Sequence, residues 1–194
     1  MRTVAALCFA EKLVQDQLDS GVLPRSEFTR EEGSSSYQAN MLVEETLRIA
    51  QREYEDKKIK YISALISSYI FHEDITHNTL INIMELSRQL RYSHMIVLSI
   101  YISKSGDISL RESALESNAA TPEELVLAAQ IHELSDKKLL DLSSDSQPFL
   151  GNRIVIPRAI TTTNLGKIAT DLLDLRSIEK DDPNEYMHIL NLLA

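Results

Sequence analysis

Two histidines and two carboxylates fall within the segment His72-Glu73-Asp74-Ile75-Thr76-His77. Imidazole nitrogen and carboxylate oxygen are the donors that zinc and similar divalent cations take. A closed site needs about four such donors, and no second ligand pair stands elsewhere at a matching spacing. The segment therefore reads as a solvated turn between helices, with Thr76 placed to cap the helix that follows. Cys8 is the only cysteine, so no intramolecular disulfide forms. A thiol nucleophile needs a base and an activating environment, and the residues around Cys8 offer neither. It reads as a small buried hydrophobe in a reducing compartment. No Gly-rich phosphate loop, Gly-x-Ser-x-Gly elbow or His-Glu-x-x-His pair occurs. No catalytic, cofactor-binding or metal-binding residue is therefore singled out, no cofactor is expected, and an enzyme is not favoured. Metal-dependent chemistry at His72–His77 is kept as an alternative.

Nucleic-acid chemistry would need a basic surface. Lys57, Lys58 and Lys60 lie between Tyr54 and Tyr61, but Glu53, Glu55 and Asp56 precede them. A solvated helix face with internal charge pairs accounts for that pattern. The chain carries a formal net charge of -9, which repels phosphate backbones and anionic lipid. Nucleic acid is thus an unfavoured partner, and no membrane partner is expected.

The elements that would hold these residues are mostly helical. Hydrophobic residues make up 43% of the 194, enough for a packed core, while Trp is absent and aromatics are only 6%. Leu, Ile, Val and Ala must then fill the interior. Five Gly and five Pro are too few for a chain of tight β-turns. A first helix is expected over Thr3 to Leu18, with Val4, Leu7, Phe9, Val14 and Leu18 as its apolar side and Asp19-Ser20-Gly21 as its stop. The short apolar N-terminal stretch ends at Glu11-Lys12 and reads as helix, not export signal. The apolar stretches are too short to span a bilayer, and a cytoplasmic location is expected.

Residues 21–36, with Pro24, Gly33 and Ser34-Ser35-Ser36, read as a flexible linker. One long helix is expected from Tyr37 to Phe71, uninterrupted by Gly or Pro, with Ile59, Ile62, Ile66 and Tyr69 on one face as a seam for self-association or a bundle. A helix after Thr76 carries Leu80, Ile83, Met84, Leu86 and Leu90, and the next, after Ser93, is apolar all round over Met95–Ile102. Residues 108–120 allow a short helix near Leu110–Leu115. Thr121-Pro122-Glu123-Glu124 is a capping box with Pro at the first helical position. Arg153-Ile154-Val155-Ile156 reads as a strand, with Ala159–Thr163 pairing with it or continuing it. Helices are expected again over Asn164–Leu173 and Glu185–Leu193.

The stretch Leu139-Leu140-Asp141-Leu142, a hairpin, then Ile160 to Lys167 with Thr162, Leu165 and Gly166, resembles a winged-helix domain with its trailing helix. That resemblance puts the helix opened by Thr121 in the recognition position. A DNA reader there would present Arg, Lys, Asn or Gln. This chain presents Glu123, Glu124 and then Leu125 to Ala129, and residues 121–194 hold twelve acidic against seven basic residues. Arg153 and Arg158 are the only cations of the wing. The run Lys57 to Ile66 and the break Leu90-Arg91-Tyr92-Ser93-His94 are similar to uncharacterised bacterial helical proteins of abortive-infection type. That likeness implies a bacterial or phage source and an interaction role. The expected fold is mainly α: an N-terminal helix and linker over 1–36, a long helix and helical hairpin over 37–92, and a winged-helix-like domain with a C-terminal helix over 93–194. The expected function is a non-enzymatic protein-interaction or assembly module, possible partners being another protein or the chain itself. The alternatives are a DNA-binding regulator and the metal-dependent enzyme.

Overall fold

The computed structural model describes residues 1–25, 35–72, 74–103, 109–116, 119–142 and 154–194, with only the backbone for 35–39. Contacts divide it into two units, residues 1–92 with 172–174, and residues 93–171 with 175–194. It is mainly helical, with one small two-stranded antiparallel sheet. Among the described residues no helix is long and apolar enough to cross a membrane.

The first unit contains α1 (Arg2–Asp19), α2 (Ser35–Arg52), α3 (Lys58–Phe71) and α4 (His77–Gln89). The stop after α1 is built as its residues suggest. Gly21 takes φ +79°, its N–H donates to the Leu18 carbonyl, and the Val22 N–H donates to the Gln17 carbonyl. Both bonds close orphan carbonyls, and the left-handed position suits Gly. The packing of α1 differs from expectation. Ala6, Ala50 and Ile59 form one buried cluster where α1, α2 and α3 meet, with Ala5 and Leu47 against it. Small side chains permit that close approach, so Val4, Leu7, Phe9, Leu18 and also Cys8 are left on the exposed side.

The single long helix does not form. Residues 53–57 break it into α2 and α3, although neither Gly nor Pro is present. Buried Glu53 supplies the cause. Its Oε1 accepts the N–H groups of Tyr54 at 2.9 Å and Glu55 at 3.1 Å, and its Oε2 meets Lys58 Nζ at 2.5 Å. Residues five apart on a continuous helix point about 140° from each other, so the break is what lets these two side chains pair. Lys58 is 2% exposed, and a lysine that far from water needs such a partner. Glu55 also faces Lys58, at 3.9 Å, and accepts the N–H of Tyr92 at 3.1 Å. Beyond the break, α3 is buried on nearly every side. Ile59, Ile62, Ile66 and Tyr69 are therefore buried inside this unit, of the two expected uses the one in a bundle. The first residues of the expected linker are also fixed. The Arg25 guanidinium lies 5.0 Å from the Tyr69 ring centre, and the backbone N–H of Arg25 donates to the Ile70 carbonyl. Residues 26–34 lie outside the described residues.

The second unit holds α5 from Ser93 onward (helix Tyr92–Ser103), α6 (Pro122–Asp136), β1 (Leu140–Leu142), β2 (Ile160–Thr162), α7 (Asn164–Leu172), α8 (Ile178–Asp181) and α9 (Pro183–Leu193). Met95 to Ile100 are all buried, as an all-apolar helix requires. Leu140 pairs with Thr162 and Leu142 with Ile160, and the inward residues Leu140, Leu142 and Ile160 alternate with outward Asp141 and Thr161. Residues 154–156 are not a strand, and Arg153 is outside the described residues. The Val155 N–H is taken by the Glu116 carboxylate at 2.8 Å, while the Val155 carbonyl accepts from Leu115. The same contacts hold residues 109–116 in a non-helical path. Thr163 Oγ1 accepts the Gly166 N–H at 3.0 Å and donates to the Lys138 carbonyl at 2.6 Å, tying the start of α7 to the end of α6. Gly166 is required there, since a Cβ would stand 2.2 Å from the Leu139 carbonyl oxygen.

Lys58→Ala is expected to cost about 3–5 kcal/mol of unfolding free energy, because it strands the buried Glu53 charge. The double variant Glu53→Gln, Lys58→Met keeps an acceptor for the two N–H groups and is expected to recover most of that loss. Urea titration checks both, and a single-variant cost below about 1 kcal/mol contradicts the role given to the pair.

Candidate functional site

The His72–His77 segment does not gather its ligands in the described residues. The His72 ring Nδ1 lies 3.2 Å from the Ser68 carbonyl of its own helix and the residue is exposed. His77 opens α4 and its ring meets that of Tyr69 edge to face, with 6.1 Å between ring centres. Asp74 is exposed, and Glu73 lies outside the described residues. Among the described residues no group of three or more His, Cys, Asp or Glu could hold a metal ion. Thr76 does cap α4, its side chain accepting the Thr79 N–H at 3.2 Å.

The lysine cluster is dispersed by the break at 53–57. Lys58 is buried against Glu53, Lys57 lies 5.3 Å from the Tyr92 ring centre, and Lys60 lies 5.7 Å from that of Tyr61. These three lysines therefore form no continuous basic stripe. In the hairpin, Arg158 is paired with Glu112, and Arg153 is outside the described residues.

Two concave surfaces stand out, one within each unit. In the first unit α2 and α4 run side by side in the same direction, because Met41 shares a lining with His77 and Ile81 while Arg52 shares one with Arg88. Between them lies a groove of about 310 Å³, floored by Leu42, Ile49 and Met84 and edged by Met41 and Ile81. Met41 is 47% exposed and Ile81 45%. Glu44, Glu45, Arg48 and Glu85 form its rim. A second hollow of about 200 Å³ shares Glu45, Arg48 and Ile49 with it and continues past Arg52, Arg88 and Tyr54. Arg48 pairs with Glu45, and Arg88 with Glu85 at 2.9 Å. The Nδ1 of His77 is buried with no hydrogen-bond partner among the described residues. The sequence carried no signal for this groove, since it depends on α2 and α4 becoming neighbours.

In the second unit, α6 and α9 enclose a hollow of about 320 Å³ with Val126, Leu127, Ile189 and Leu192 inside and Glu123 and Glu185 at its edge. Helix α6 thus exposes Leu125, Val126 and a carboxylate. Its start is fixed electrostatically. Thr121 Oγ1 accepts the Glu124 N–H at 3.2 Å, and Glu124 accepts the Thr121 N–H at 2.7 Å. That backbone bond, together with the Arg111 guanidinium paired to the same carboxylate, holds Glu124 below the usual carboxylate range. Buried His94 has its Nε2 3.3 Å from Glu133, and His132 lies 2.9 Å from Glu116. Burial raises the Tyr101 hydroxyl, which donates to the Pro157 carbonyl at 3.3 Å. These groups fasten α5 and α6 to neighbouring segments, and none faces another in a nucleophile and base arrangement.

In comparisons with known proteins, no protein-family model, no curated protein and no solved structure matches the chain.

Because the folded-state value of Glu124 is lowered, its stabilisation is present above the ordinary carboxylate range and lost as pH falls through that folded value. Glu124→Gln is expected to lower Tm at neutral pH, with the gap to wild type closing in acid. A gap that stays constant between neutral and acid pH contradicts the charge-based account.

Proposed function

We propose that the chain is a non-enzymatic protein-interaction or assembly module that receives its partner on the α2–α4 face. The groove between those helices carries the reading. Its floor is Leu42, Ile49 and Met84, and its edges expose Met41 and Ile81 under a charged rim. Adaptable apolar centre inside a polar rim is the anatomy of a protein contact, and Met is enriched in such surfaces. A small-molecule active site would instead converge polar groups on one point.

The second unit is read as winged-helix-like on the order α6, β1, β2, α7, with a use in protein contact. The exposed Leu125 and Val126 and the acidic Glu123 support that use over DNA recognition. The setting proposed, bacterial or phage regulation or defence, rests on the resemblance given under Sequence analysis.

A photoreactive amino acid in place of Ile81, in the full chain within its native cells, is expected to give a covalent protein adduct on illumination. The same residue in place of exposed Lys180 is the control. No adduct from position 81, or equal yield from both positions, contradicts the reading.

A further inference from the structure

The charges along the α2–α4 face follow an order that identifies its occupant. Running toward the helix C-termini, the face presents Met41 and Ile81, then the carboxylates Glu44, Glu45 and Glu85, then the guanidiniums Arg48, Arg52 and Arg88. It ends on Tyr54, which is 75% exposed. Among the described residues neither Glu44 nor Arg52 has an ion-pair partner, and both are exposed. They stand four positions either side of Arg48, about 6 Å along the axis in each direction.

We infer that a second copy of this chain packs on the face in the antiparallel sense, about a two-fold axis passing near Arg48. The inference rests on the interaction reading above and names its partner. Turning the face by that axis sets Glu44 of each copy opposite Arg52 of the other, and Met41 opposite Tyr54. The axis also brings the two Arg48 together, each flanked by its own Glu45 and by that of the other copy, and sets the two Glu85 near each other, each held by its own Arg88. A two-fold interface must be complementary to itself in this way. Sulfur against an aromatic ring is a favourable contact, and opposite charges in register set orientation. Parallel packing would instead oppose Glu44 to Glu44 and Arg52 to Arg52, the two charges that the antiparallel sense pairs. With buried Glu53 spent on Lys58, the face balances Glu44, Glu45 and Glu85 with Arg48, Arg52 and Arg88, whereas the whole chain carries -9 and repels its own copies elsewhere.

Sedimentation equilibrium of the purified full chain tests this, with circular dichroism confirming that each variant is folded. Wild type is expected at twice the 22.0 kDa chain mass. Glu44→Arg alone and Arg52→Glu alone are each expected to weaken the dimer by roughly tenfold at low salt, and the double exchange to restore most of it. A monomer up to about 100 µM, a dimer indifferent to both single changes, or a double variant as weak as the singles overturns the inference. The photo-adduct at position 81 separates the two claims. An adduct with a different protein and a monomeric pure chain would end the second-copy inference and leave the interaction module standing, whereas no adduct would end both.

Discussion

The buried pair between Glu53 and Lys58 is the constraint on which the first unit turns. A continuous helix through these residues would hold the carboxylate and the ammonium on different sides. Leaving either buried alone is costly, so the chain opens a bend in which Glu53 satisfies the N–H groups of Tyr54 and Glu55 as well as the lysine. Two consequences follow. The chain folds back, sinking α3 into the core on nearly every side. It then returns through α4, which comes to lie alongside α2 in the same direction. The groove is thus a product of the bend, and no part of it exists on a straight helix.

Small residues and caps complete the frame. Ala6 and Ala50 let α1 approach Ile59, so the apolar bulk of α1 is left outside. In the second unit Gly166 does comparable work, letting the first turn of α7 reach the Leu139 carbonyl. The end of α6 is closed by Lys138 at φ 61°, with the Leu139 N–H bonded back to Leu134. Arg111 joins three segments at once, through Glu124, the Ala114 carbonyl and the Leu193 carbonyl. Polar side chains thus organise the non-helical stretches that apolar periodicity leaves undetermined.

Much of the fold was legible in local sequence because its causes are local. The stop at Asp19-Ser20-Gly21, the Thr76 cap, the Thr121–Glu124 box and the all-apolar α5 each depend on a few adjacent residues. Long-range causes were not legible. Charged pairs near 44–56 support helix at short range, and nothing in them says that Lys58 will be buried. The partner of β2 was misassigned because Val155 spends its N–H on Glu116 while β2 bonds to Leu140–Leu142. The face Ile59 to Tyr69, expected as a seam for self-association or a bundle, is spent inside the first unit. The candidate site depends on two helices becoming neighbours across residues 53–76, so its residues share no spacing that a sequence reading could have found.

The bend at Glu53–Lys58 and the return of the chain beside α2 can be measured directly. Spin labels at Asn40→Cys and His72→Cys, in a Cys8→Ser background, place one probe near each end of the segment that would otherwise be one helix. A straight helix separates them by about 48 Å. A chain folded back on itself brings them below about 25 Å, given ordinary helix packing distances. Double electron–electron resonance is expected to show the short distance. A distribution centred near the long one would contradict the account.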